Sequence, residues 1–221
     1  ELVGGCTGSK NADGTEVQDF SKPSVLIENP AKAGETKNLL NIVTNGKPVT
    51  ISGFTFQNQS GVGVNAMVNL STNNEGSLLK VHNSAFRKNK KTGMVVNNNA
   101  ATEDNESGIK MWNVLFADGE GNGLKITKSQ SADITNATFV NNTDTAVVGT
   151  QSVYNSVAWK NGLQDLTKDI GYNNVMIDKS IENGDVLNGP NFVDPENGDY
   201  RIRPSLKLLD QGNNENYRKN V

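Results

Sequence analysis

The apolar residues of this chain fall into columns. Four segments align without gaps: VTISGFTF (49–56), LKVHNSAF (79–86), IKMWNVLF (109–116) and ADITNATF (132–139). Their first position is Val49, Leu79, Ile109 or Ala132, and their third is Ile51, Val81, Met111 or Ile134. That alternation predicts a short strand with one buried face. The fifth position is Gly53, Asn83, Asn113 or Asn136, the residue types that best tolerate φ > 0, so a one-residue bend follows. The eighth is always phenylalanine: Phe56, Phe86, Phe116 and Phe139. Seven residues later, Gly63, Gly93, Gly123 and Ala146 precede a further apolar column, Val64, Met94, Leu124 and Val147. The copies are 30, 30 and 23 residues apart. A looser fifth copy, VYNSVAWKNG (153–162), offers Asn155 and Trp159 for the bend and aromatic places.

Each copy reads as strand, bend, strand, loop, strand. No copy can bury its apolar face alone, so the copies must stack. Stacked in register about 4.8 Å apart, they give internal ladders of Phe and Ile and a bend ladder of Asn. The pattern predicts an all-β fold, a single-stranded right-handed parallel β-helix (solenoid). A β-sandwich would need short hairpins and would not explain a match column by column. Helix should be minimal, because Gly, Asn and β-branched residues interrupt every window. One domain is expected over 1–221: an N-terminal coil region (1–48), regular coils (49–162) and an irregular C-terminal closing segment (163–221).

Composition agrees with a turn-rich repeat. Hydrophobic content is 34%, with 22 Gly and 33 Asn, and the strict patterning argues against disorder. The net charge of −3 supplies no basic field for nucleic acid or an anionic membrane. Cys6 and His82 are the only cysteine and histidine, which excludes an intrachain disulfide and a Cys/His zinc cluster. No cofactor is expected. No apolar run is long enough to span a membrane. VGGC (3–6) loosely resembles the box before a lipidated cysteine, but Glu1 and the missing apolar region favour a Gly-Gly turn.

With these columns the chain resembles bacterial secreted or surface right-handed β-helix proteins of the pectin-lyase-like superfamily, of the choice-of-anchor type. VYNSVAWKNG is similar to the group's last coil, NFVDPENGDYRI (191–202) to its closing segment, and SLKLLDQG (205–212) to its terminal motif. Lys207 and Leu208 stand there where a small residue and an aliphatic are usual. GGCTGSK and KPSVLIEN (22–29) resemble the early coil, with Cys6 replacing an aromatic or aliphatic residue. The resemblance implies a secreted or surface-anchored protein whose signal and anchor lie outside these residues, expected as a monomer. It says little about activity.

Enzymes of that superfamily imply constellations that can be sought by residue type. The paired aspartates, Gly-His-Gly and Arg-x-Lys of galacturonan hydrolases are absent. Calcium-dependent lyases need carboxylates on neighbouring coils, yet the outward column of the third strand reads Asn65, Val95, Lys125, Val148. A metal-free lyase using Lys and Arg stays open. GVGVNA (61–66) mimics a dinucleotide fingerprint, but its second glycine is a rung of the Gly63, Gly93, Gly123 ladder.

Two surfaces are candidates for carbohydrate. On the outward side of the first strand, Lys80, His82, Lys110 and Trp112 are neighbours on adjacent coils. An exposed indole would offer a flat apolar face to a sugar and the ammonium groups would meet a uronate or sulfate; the alternative is a Trp112 covered by a loop or cap. The second comprises the long loops 67–78 and 97–108, where Asn73, Asn74, Glu75, Asn98, Asn99, Glu103 and Asp104 can hydrogen-bond sugar hydroxyls or hold Ca²⁺ weakly. The basic run FRKNKKTG (86–93) faces solvent at a turn. NFVDPENGDYRI fails the register of a calcium loop and reads as architecture: Phe192 continuing the aromatic stack, a turn at Pro195 and Asn197-Gly198, then a closing strand ended by Arg203 and Pro204. The expected function is a non-catalytic, adhesin-like recognition of carbohydrate or host surface. A polysaccharide lyase for an acidic glycan and a ligand-free stalk are the alternatives.

Overall fold

The computed structural model describes residues 2–4, 6–10, 12, 16–19, 22–27, 37–69, 78–98, 108–127, 132–149, 152–163, 171–177 and 189–204. In chain order the strands are β1 (Leu2–Val3), β2 (Cys6–Lys10), β3 (Glu16–Gln18), β4 (Ser24–Ile27), β5 (Leu40–Asn45), β6 (Val49–Ser52), β7 (Phe54–Gln57) and β8 (Val64–Asn69). Then come β9 (Leu78–Arg87), β10 (Met94–Asn98), β11 (Gly108–Ala117), β12 (Leu124–Thr127), β13 (Ala132–Thr135), β14 (Thr138–Val140), β15 (Val147–Val148) and β16 (Ser152–Trp159). β17 (Gly171–Ile177), β18 (Phe192–Asp194) and β19 (Asp199–Ile202) follow. The only helical turn among the described residues is Pro195–Asn197.

The strands build three walls. Wall one runs β1-β6-β9-β11-β13-β16-β17 and wall two β4-β7-β9-β11-β14-β16; because β9, β11 and β16 pass through the bend, both belong to one ten-stranded sheet. Wall three is β5-β8-β10-β12-β15. Pairing in all three is parallel, an architecture compatible with a solenoid of stacked rungs. The predicted columns are the observed register. Leu79 faces Val49 and Ile109, Phe86 faces Phe56 and Phe116, and Met94 faces Val64 and Leu124.

The core is made of these columns. Phe56, Phe86, Phe116 and Phe139 stack at centroid separations of 5.1, 4.6 and 5.0 Å, with interplanar angles no larger than 18°. Each is essentially fully buried, which contributes about 1.5–3 kcal/mol apiece. The small-residue column is required by the stacking itself: a Cβ on Gly93 would sit 2.8 Å from the carbonyl oxygen of Gly123 and 3.1 Å from the Phe116 ring.

The bend is left-handed as expected, with φ of 77° at Gly53 and 47–52° at Asn83, Asn113, Asn136 and Asn155. A second left-handed column closes wall two and was not foreseen: Lys88 (φ 50°), Asp118 (57°), Asn141 (54°) and Lys160 (53°). Lysine has no side-chain route to relieve that conformation, so Lys88 and Lys160 each carry a cost of about 1–2 kcal/mol. One turn further, buried asparagines form an internal ladder. Asn142 Nδ2 donates to the Phe116 carbonyl at 3.1 Å and to Asn161 Oδ1 at 2.9 Å, its Oδ1 accepts from Gly119 N, and Asn161 Nδ2 donates to the Phe139 carbonyl. Asn58 and Asn89 repeat the arrangement three rungs earlier.

Three expectations are corrected. In the fifth copy Ala158, not Trp159, pairs with Phe139, so the phenylalanine stack ends there and Trp159 points outward beside Val140. The bend-to-aromatic distance explains it: Phe86 lies three residues after Asn83, and Ala158 three after Asn155. The segment after 162 is not wholly irregular, since β17 adds a parallel rung to β16. NFVDPENGDYRI does not close the coil. β18 and β19 form an antiparallel hairpin, and Phe192 meets Tyr200 edge-on at 5.3 Å, in a second cluster with Leu115, Ala117, Val140 and Trp159 on the outside of wall two.

Candidate functional site

Wall one places Lys80 beside Lys110 and His82 beside Trp112, as the repeat alignment requires. It does not leave Trp112 exposed. The indole is only 8% accessible, stacked on the His82 imidazole at 4.3 Å and 9°. Of its column, Ser52 at 1% and Thr135 at 0% are buried too, while His82 and Tyr154 are half-buried. The flat sugar-binding face expected there is therefore occupied by another ring. Alternation identifies which side chains point away from the core, and it carries no information about what lies over them.

The polar contacts of His82 are fixed by the bend ladder. Asn113 Nδ2 donates to Asn83 Oδ1 at 3.2 Å, so the Asn83 amide presents its NH₂ to His82 Nδ1 at 3.0 Å. An amide nitrogen only donates, so Nδ1 is the acceptor in that contact. Ser52 Oγ lies 3.1 Å from the same nitrogen. A hydroxyl beside an accepting imidazole meets the first requirement of a nucleophile, but a serine buried to 1% meets no polymer. Lys80 and Lys110 are half-buried in the neighbouring column, with Asp133 next in line.

The long-loop residues Asn73, Asn74, Glu75, Asn99, Glu103 and Asp104 lie outside the described residues, and Asn98 is described only as the last position of β10. What is described is how the loops are held. Val68 pairs with Asn98 at their start and Leu78 with Gly108 at their end, so both leave wall three and enter wall one on adjacent rungs.

The outward column of wall three is confirmed in register as Asn41, Asn65, Val95, Lys125 and Val148, without a carboxylate. Among the described residues no group of three or more His, Cys, Asp or Glu is placed to hold a metal ion. The same holds for a membrane crossing: no described helix is long and apolar enough.

The outside of wall two carries a dense polar network. Tyr200 OH donates to Asp118 Oδ1, and Asn141 Nδ2 donates to Tyr200 OH at 2.9 Å. Arg87 Nη2 approaches Asp118 Oδ2 at 3.5 Å, while its guanidinium carbon lies 5.7 Å from the Tyr200 ring centre. Burial, and then the hydrogen bond to Asp118, push the Tyr200 hydroxyl up to about 12. On the rim, the hydrogen bonds from Arg201 hold the Asp199 carboxyl down at about 2. The network pins the hairpin; Tyr200 is buried and its hydroxyl is committed, so it acts as an anchor and not as an acid or base. Sequence reading found the turn at Pro195–Gly198 but not this docking, although an outward apolar run of Ala117, Val140 and Trp159 was the available signal. The chain matches no protein-family model, no curated protein and no solved structure.

Proposed function

We propose that the chain is a non-catalytic right-handed parallel β-helix of the pectin-lyase-like, choice-of-anchor kind, extracellular or cell-surface, that recognises carbohydrate or a host surface. The observation that carries this reading is the pinning of two long Asn- and acid-rich loops side by side, one rung apart, on a register-true stack. A stack that holds the ends of two loops on adjacent rungs supports recognition of an extended ligand. Burial of Ser52 and the carboxylate-free column of wall three weigh against the lyase alternative on the described surfaces. Right-handedness is supported by the strong preference of parallel crossover connections.

The test is a glycan array that includes acidic polysaccharides, read together with the ultraviolet absorbance of unsaturated products. Binding without product, lost when Asn73, Asn74 and Glu75, or Asn99, Glu103 and Asp104, are replaced by alanine, is the expected result. Unsaturated product replaces this reading with the lyase. Silence in both assays leaves a stalk.

A further inference from the structure

Exposed apolar side chains gather at one end of the stack. Among the described residues six large hydrophobics are exposed, and four of them, Leu2, Val25, Ile27 and Val43, lie in β1, β4 and β5. Those strands make one rung: Gly4 N donates to the Ser52 carbonyl and Ser24 N to the Gly53 carbonyl, so residues 5–23 are an insertion at its bend. Within that insertion β2 and β3 pair with each other. The inward residues Leu26, Leu40 and Ile42 are only half-buried, whereas Phe56, Val64 and Ala66, their partners in the next rung, are at 0%. The difference is a neighbour on the other side: among the described residues β1, β4 and β5 each pair on one side only.

The open side is a row of backbone N–H and C=O groups, so what completes it is a strand. Leu40 N and Ser24 N both donate into the next rung. Alternation then turns the backbone of Asn41, Val43 and Asn45, and of Val25 and Ile27, away from the stack. Edges are usually blocked by a charge or a proline, and neither Ser24–Ile27 nor Leu40–Asn45 contains one. The same lack of charge lets a strand meet its own copy without repulsion.

We propose that this rung is a self-association surface taken by a second copy of the chain, docked head to head about a two-fold axis with β5 antiparallel to β5, which gives a closed dimer in place of the monomer expected from the sequence, whatever the loops bind. Centred on Val43, the pairing sets Val43 against Val43 of the second copy, Asn41 against Asn45 and Ile42 against Thr44, so inward positions meet inward positions. About six backbone hydrogen bonds join the two strands. The axis crosses the bend opposite wall three and exchanges walls one and two, which lays β4 over β1 of the second copy. Head-to-tail stacking is served less well: at the far end wall three stops at β15, only two residues long, so the six residues of β5 meet no strand of their own length there among the described residues.

The experiment is sedimentation equilibrium of residues 1–221 from about 1 to 300 µM, with circular dichroism to check folding. Val43→Lys sets two ammonium groups face to face on the axis and spares the single copy, where Val43 is 57% exposed. Val43→Pro deletes an N–H that faces away from the stack and so breaks no bond within it. Val148→Lys makes the same charge change at the other end of wall three. In a Cys6→Ser background, Val43→Cys probes the register, because opposed residues of a hydrogen-bonded antiparallel pair stand about 5.5 Å apart at Cα, within disulfide reach.

The wild type is expected to pass from one copy to two with no larger species. Val43→Lys and Val43→Pro should each weaken the dimer at least about tenfold with an unchanged spectrum, and Val148→Lys should leave it intact. Val43→Cys should be trapped as a covalent dimer by copper phenanthroline. If proline alters the spectrum, Val43→Lys alone decides. A wild type that stays single throughout, a mass that climbs past two copies, an equal loss in Val148→Lys, a dimer indifferent to Val43→Lys, or a dimer that Val43→Cys does not trap overturns the docking.

Discussion

Replacing Asn142 by alanine tests whether the buried asparagine ladder, and not only the phenylalanine stack, holds the rungs together. Asn142 is 3% exposed, and its side chain satisfies two backbone groups of the preceding rung, the Phe116 carbonyl at 3.1 Å and the Gly119 amide at 3.3 Å, besides bonding Asn161 Oδ1. Truncation orphans the Gly119 amide, while the Phe116 carbonyl keeps its place in the strand ladder opposite Val140 N. Asn161 Oδ1 keeps a partner, because it also accepts from Asn142 N at 3.2 Å. At about 1–3 kcal/mol for the buried amide left without a partner and about 1 kcal/mol for the lost bond to Asn161, the loss should be about 2–4 kcal/mol. For a chain of this length that lowers the melting midpoint by about 4–16 °C. Urea unfolding followed by far-ultraviolet circular dichroism measures it, with Asn65→Ala as the control, since Asn65 makes only an exposed bond to Asn41 and should change stability by less than about 0.5 kcal/mol. Pairing the change with Asn161→Ala should give clear non-additivity through the shared bond. If Asn142→Ala is no worse than Asn65→Ala, water replaces the amide freely and the ladder is ornament.

Phe116→Ala, at the centre of the ring stack, should destabilise by about 3–5 kcal/mol in the same assay, against about 1 kcal/mol or less for Leu115→Met on the outer side. Gly198→Ala should loosen the hairpin, since φ is 79° there and a new Cβ would fall 2.0 Å from Arg87 Nη2; adding Arg87→Ala should restore only the steric part of the melting loss. Tyr200 favours its neutral form in the folded state, so the stability it adds is complete below pH 10 and is lost as pH rises through about 12; the gap in unfolding free energy between wild type and Tyr200→Phe should close over that window, and a gap that widens contradicts the hydrogen bond to Asp118.

The fold was legible where one residue type serves one geometric need. Phenylalanine fills a stacked core column and asparagine or glycine fills a left-handed bend, so the register could be written down from Phe56, Phe86, Phe116 and Phe139 and from Asn83, Asn113 and Asn136. The second bend was hidden because lysine at 88 and 160 is no signature of positive φ. The buried asparagine ladder was hidden by a sliding offset: Asn58 lies two residues after Phe56, and Asn89 three after Phe86. Trp112 and Trp159 show the same limit from opposite sides. A strand's alternation separates inward from outward, whereas burial of an outward side chain depends on rings in neighbouring rungs and on residues far along the chain, such as Phe192 and Tyr200, 33 and 41 positions beyond Trp159.

The hairpin that seals wall two has a consequence for the order in which the molecule can be completed. Rungs contact their neighbours, so a stack of this kind can grow from its N-terminal end as the chain emerges. The wall at Ala117 and Val140 cannot be finished in that order, because Tyr200 arrives only 82 residues after the Asp118 it binds. Until then a growing chain displays a strip of alanine, valine, leucine and tryptophan on its flank. Nascent chains, and fragments cut before residue 192, should therefore be the sticky species, and a holdase acting during synthesis has its natural target on that strip rather than at the advancing tip.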